Sequence, residues 1–193
     1  MGPVDHATAV TNRSAPQEVG DLRLRAAPRI DLLGGKSAEV VDEVAAMPPE
    51  RAHLIASAAY TLARAANADL DISDDETAAI ERELQTHDGL DEATAVLVTQ
   101  MAKLQARTIG GAEDYSVTRE FKALATTEQR MNVLRACFAV SAANGSISAE
   151  ENATVNQIAR ELDIDDPTLN AIRADYHEQL SSVQRIRKVT GGG

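Results

Sequence analysis

Two stretches hold the side chains best suited to chemistry in this chain, and they are near copies of each other. They are Asp69-Leu70-Asp71-Ile72-Ser73-Asp74-Asp75-Glu76 and Asn144-Gly145-Ser146-Ile147-Ser148-Ala149-Glu150-Glu151. Each runs Asp or Asn, two residues, Ile-Ser, two residues, Glu. One use of this pattern is structural. Ser73-x-x-Glu76 and Ser148-x-x-Glu151 are capping boxes: the Ser oxygen accepts from an amide of the new helix, and the Glu reaches back to the Ser amide. The Ile before each Ser can staple onto the first turn, and acids are favoured at a helix N-terminus by its dipole.

The other use is metal binding. The later half of a calcium-binding EF-hand loop has the same form, and residues 144–151 match it. The earlier ligand positions fall on Val140 and Ala142 in that copy, and on Ala65 and Asn67 in the first, where Leu70 also replaces the turn glycine. Neither loop holds calcium by itself in the ordinary way. A site exists only if the two turns meet and pool Asp69, Asp71, Glu76, Asn144 and Glu151 around one divalent cation, calcium or magnesium.

Other chemistries find less support. Glu50-x-x-His53 has the spacing of a di-iron helix motif, but such a site needs a second pair and the chain has none. His6, His87 and His177 are scattered, and Cys137 lies in an apolar run with no base beside it in sequence. There is no glycine-rich phosphate loop and no hydrolase elbow. The reading is therefore non-catalytic, with no cofactor beyond that cation.

The net charge of −11 opposes a phosphate backbone as a general partner. The acids concentrate between Asp69 and Glu92, where Arg82 is the lone Arg or Lys. Such a face attracts cations or a basic protein partner, or is simply solvated. A single cysteine and the lack of any apolar stretch long enough to span a membrane give a soluble, cytoplasmic expectation.

The elements that must position the two stretches are helices. Aromatics make up only 3% of 193 residues and no run alternates like a strand, so Ala and Leu must fill the interior of an all-α fold. Residues 1–47 carry scattered prolines and read as a flexible arm, with a short helix over 37–46; 48–187 is the helical domain and 188–193 a disordered tail. Within the domain, the spacing predicts helices over 51–67, 74–86 and 92–107, the last with Val96, Leu97, Met101 and Leu104 inward. A bridge with a short helix follows over 112–126. Further helices cover 127–143 and 149–162, and a last one opens at a cap on Asp166 and runs to about 185. The pattern around one acidic turn recurs around the other. Two related three-helix units then pack face to face as a six- to seven-helix bundle.

With these residues in view, the chain resembles the TerB family of tellurite-resistance proteins, which shares its helical fold with the N-terminal region of DjlA-type co-chaperones. The resemblance spans about residues 50–180. It rests on Ala142-Ala143-Asn144-Gly145-Ser146-Ile147-Ser148-Ala149-Glu150-Glu151 and on Asn67-Ala68-Asp69-Leu70-Asp71-Ile72-Ser73-Asp74-Asp75-Glu76. It implies a non-catalytic scaffold in a stress or tellurite-resistance type of complex, with protein partners at the inner face of the membrane. It also implies metal binding by acidic residues, here at Asp69, Glu76, Asn144 and Glu151. The rival expectation is a plain interaction module without metal, docking by its N-terminal arm or its acidic face.

Overall fold

The computed structural model describes residue 42 and residues 44–69, 72–108 and 111–190. The remainder of the N-terminal arm, Leu70, Asp71, Ile109, Gly110 and the last three glycines lie outside the described residues. Residues 42 and 44–46 are helical, inside the span expected for a short helix.

The domain proper is built of α-helices: α1 Pro49–Ala66, α2 Asp74–Asp88, α3 Glu92–Thr108, α4 Gly111–Leu124, α5 Thr127–Ser141, α6 Ala149–Glu161, α7 Asp166–Asp175 and α8 Ser181–Thr190. Short 3-10 turns at Asn67–Asp69 and His177–Gln179 complete it. No strand occurs among the described residues, only an isolated bridge between Ile147 and Leu180. The all-α expectation holds.

Local chemistry sets the helix ends. Asp91 starts α3 by accepting from the amides of Ala93 and Thr94 at 2.9 and 3.2 Å. Thr126 and Gln129 form a full capping box at α5. Gly89, in the left-handed region at φ 66°, closes α2 by donating its amide to Leu84. The cap of α7 is Asp165, one residue before the expected Asp166, and it accepts from Thr168.

Helix α1 is the axis of the fold. From Ser57 to Ala66 every residue is buried, so this half of the helix has no solvent-facing side. It packs against α3, α4 and α5 and also reaches α2 and α6. Its alanines at 58, 59, 63, 65 and 66 are at most 2% exposed, and such small side chains let five neighbours approach one helix.

Three expectations change. Met101 and Leu104 of α3 are 51% and 41% exposed, while Ala95, Val98, Ala102 and Ala106 of the same helix are buried in the core. Small residues on both helices give the closer approach, and the larger side chains fall to the rim. The bridge is a full helix, α4, which buries Phe121 and Thr118. The last predicted helix is broken: Leu180 is extended, at φ −62° and ψ 120°. The amide of Ile147 bonds to Gln179 O at 2.7 Å and that of Ser181 to Ile147 O at 2.9 Å. This pairing with the second acidic turn replaces helical bonds around Leu180, and α8 restarts at Ser181 and continues to Thr190, past the helix end expected at about 185.

Candidate functional site

The two repeated starts are built alike to within a few degrees. Ser73 has φ −64° and ψ 167°, and Ser148 has φ −66° and ψ 169°. The Ser73 oxygen accepts from the Glu76 amide at 3.2 Å, and Glu76 Oε2 accepts from the Ser73 amide at 2.7 Å. In the second copy the corresponding bonds are 3.1 and 2.7 Å, between Ser148 and Glu151. The preceding isoleucines, Ile72 and Ile147, are 5% and 1% exposed. Both capping boxes are thus complete.

Capping does not explain where the two glutamates go. An N3 glutamate of a surface helix is ordinarily wet, yet Glu76 and Glu151 are each 2% exposed. They come from different halves of the chain and lie within hydrogen-bonding reach of each other. Burial pushes the Glu151 carboxyl up, to about 7; the Ser148 bonds oppose this and the Glu76 carboxylate adds to it. Glu151 Oε1 is buried and receives no donor. Two carboxylates this close in a dry site relieve their repulsion by sharing a proton or by facing a cation.

The other proposed ligands stand differently. Asn144 is exposed, and its Oδ1 accepts from the Ser146 amide at 3.1 Å, closing a turn that Gly145 completes at φ 91°. Asp71 and the side chain of Asp69 lie outside the described residues. No cluster of three or more metal-ligating side chains occurs among those described. The two isoleucines do not pair in the manner of EF-hand loops, since Ile147 spends its backbone on Leu180 and its neighbours.

A second polar centre escaped the sequence reading. Arg64, 7% exposed, grips Glu161 of α6 with bonds of 2.6 and 3.2 Å and donates to Thr118 of α4 at 3.0 Å. Asp114 lies 3.6 Å from its Nε and accepts from Tyr60. Gln157 donates to Glu161 at 2.9 Å. Burial alone would raise the Glu161 carboxyl, but the Arg64 bonds and charge, with Gln157 and Thr118, bring it below the usual range. The signal in the sequence was a lone arginine between Leu62 and Ala65 in an otherwise apolar stretch. This network ties α1, α4 and α6 together and is structural.

Cys137 is wholly buried, and burial pushes its thiol up to about 12, the chemistry of a core residue. His53 and His87 are mostly exposed and pair with Glu120 at 4.0 Å and Glu83 at 3.4 Å, which offers no di-iron arrangement. No described helix is long and apolar enough to cross a membrane.

Comparison with known proteins bears on the same helices. No curated protein and no solved structure matches the chain. One family model does, over residues 54–174, from the first turns of α1 to the end of α7, and it takes in both acidic starts. That family is generally a non-catalytic helical domain. The chain belongs to the family described as tellurite resistance protein TerB.

Proposed function

We propose that this chain is a non-catalytic TerB-type scaffold that binds a protein partner in a stress or tellurite-resistance complex and holds one divalent cation between its paired acidic helix starts. The supporting observation is the burial of Glu76 and Glu151 together, with one Glu151 oxygen left without a donor. Magnesium asks less of such a site than calcium, because it takes one or two carboxylates and keeps its waters. Calcium takes six to eight oxygens and would draw on Asp69, Asp71 and Asn144 as well. Any attachment to the inner face of the membrane comes, in this reading, through the partner, and the protein works in the cytoplasm.

The experiment is a thermal melt of the full chain with magnesium, calcium or zinc, and with chelator. An ion bound only by the folded state at a hundredfold its Kd adds about 2.7 kcal/mol, which raises the midpoint by several degrees. The increase disappears in a Glu76→Gln, Glu151→Gln double variant. An unchanged midpoint with every ion leaves the second reading, a metal-free interaction module. One observation favours that alternative by itself: burial raises the Glu151 carboxyl to about 7 beside Glu76, and a proton held between the two carboxyls would satisfy the buried oxygen.

A further inference from the structure

We infer that residues 37–41 of the N-terminal arm, anchored by Val40 and Val41, dock in the groove between α1 and α3 of their own chain and cover Met101. The inference does not depend on the cation reading, since neither Glu76 nor Glu151 lines that groove.

The groove lies between Ile55 of α1 and Val98, Met101 and Gln105 of α3, with Val44 and Met47 along its edge. Its cavity measures about 80 Å³. A cavity of about 150 Å³ takes a benzene ring, so this one has room for one or two aliphatic side chains and not for a helix face. Gln105 is the only polar side chain among the described residues that line it. Water there finds few partners, and an apolar side chain displaces it favourably. Beside the cavity, Leu97, Met101 and Leu104 stand at i, i+4 and i+7 and form one apolar stripe along α3. The stripe is open over its last two members, which are 51% and 41% exposed.

The course of the chain selects the occupant. Residue 42 and residues 44–46 are helical, with Asp42, Ala45 and Ala46 exposed, while Val44 and Met47 line the groove. Val41 and Val40 precede Val44 by three and four residues. Continued in the same register, the helix brings both valines to the face of Val44 and Met47. Ser37 is a suitable cap for the added turn. The segment begins at the edge of the groove, so no linker has to be spanned, and its tether gives an effective concentration in the millimolar range. A second copy would have to match that concentration in trans, with Val44 and Met47 already in place. From residue 93 to residue 108 α3 holds no acid, so Glu39, Asp42 and Glu43 meet no like charge from it, in a chain of net charge −11.

Oxidation of the full chain by dilute hydrogen peroxide, read by peptide mass spectrometry, tests this. Met101 should oxidise at least about threefold more slowly in the wild type than in a Val40→Asp, Val41→Asp variant, because susceptibility follows exposure. Met131, which does not line the groove, should oxidise alike in both. Val40→Ser with Val41→Ser should accelerate Met101 oxidation without adding charge, and circular dichroism melts establish that both variants keep the fold. Nuclear Overhauser contacts from the Val40 or Val41 methyls to the Met101 methyl are expected in the wild type, a readout that needs no variant. The protection of Met101 should be equal at micromolar and near-millimolar chain. Equal Met101 rates in the wild type and both folded variants overturn the inference. Protection that grows with chain concentration assigns the groove to a second copy and overturns it too. Absence of the methyl contacts leaves the groove to a foreign partner, with the same result.

Discussion

The guanidinium of Arg64 and the carboxylate of Glu161 form a two-pronged ion pair across the core, at 2.6 and 3.2 Å, with both residues under a tenth exposed. It joins the axis helix of the first half to the post-turn helix of the second. Breaking a buried pair from one side strands the other charge. Arg64→Ala is therefore expected to cost about 3–5 kcal/mol in urea unfolding. Arg64→Met combined with Glu161→Leu should lose far less, because no charge is left unpaired. A double variant as unstable as Arg64→Ala would show that packing, not charge, dominates there.

The same pair predicts an acid limb. The folded Glu161 carboxyl titrates below its ordinary value of 4.5. A lowered folded pKa stabilises above the unfolded value, and the contribution is lost as pH falls through the folded one. Chemical denaturation below pH 4.5 should show this loss in the wild type and not in the Arg64→Met, Glu161→Leu variant.

Glu151 has the opposite sign. Its carboxyl moves from 4.5 up to about 7 on folding. Its protonated form favours the fold, so the contribution is full below about 4.5, declines across the interval and is gone above about 7. At about 1.4 kcal/mol per pH unit the effect is on the order of 3 kcal/mol. In chelator, Glu151→Gln should match the wild type at low pH and exceed it in melting temperature above neutrality. Equal midpoints at pH 8 would refute the shared-proton state.

Cys137, fully buried and held up to about 12, should resist thiol reagents in the native chain. Labelling should follow unfolding, its rate rising with denaturant as the buried helix opens. Rapid modification in buffer would contradict the burial.

Gly145 sits at φ 91°, where a side chain is strained even though a Cβ would meet nothing within 4 Å. Gly145→Ala should cost about 1 kcal/mol. Ser148→Ala should cost a similar amount through the lost cap. Both are read from equilibrium unfolding curves.

Several features were legible because they are local. The Ser-x-x-Glu boxes, the Thr126–Gln129 box and the Asp91 cap concern atoms within three residues of each other, so spacing specifies them. The apolar stripes of α2, α5 and α6 follow from helical periodicity. The rim position of Met101 and Leu104 was not legible. Two helices of small residues approach closely, and periodicity does not say which apolar residues a neighbour will leave uncovered. Nor was the break at Leu180, where hydrogen bonds to Ile147 outcompete a helix that local propensity would continue.

The sequence by itself determined an all-α chain with two like acidic helix starts, because capping and amphipathic periodicity act over one or two turns. Tertiary structure decided that Glu76 and Glu151 lie together out of water and that Arg64 finds Glu161. It also decided that Ile186 and Val189 of α8 stand exposed. Each depends on which surfaces meet across the bundle, and burial, which sets the cost of a charge, exists only once they have met.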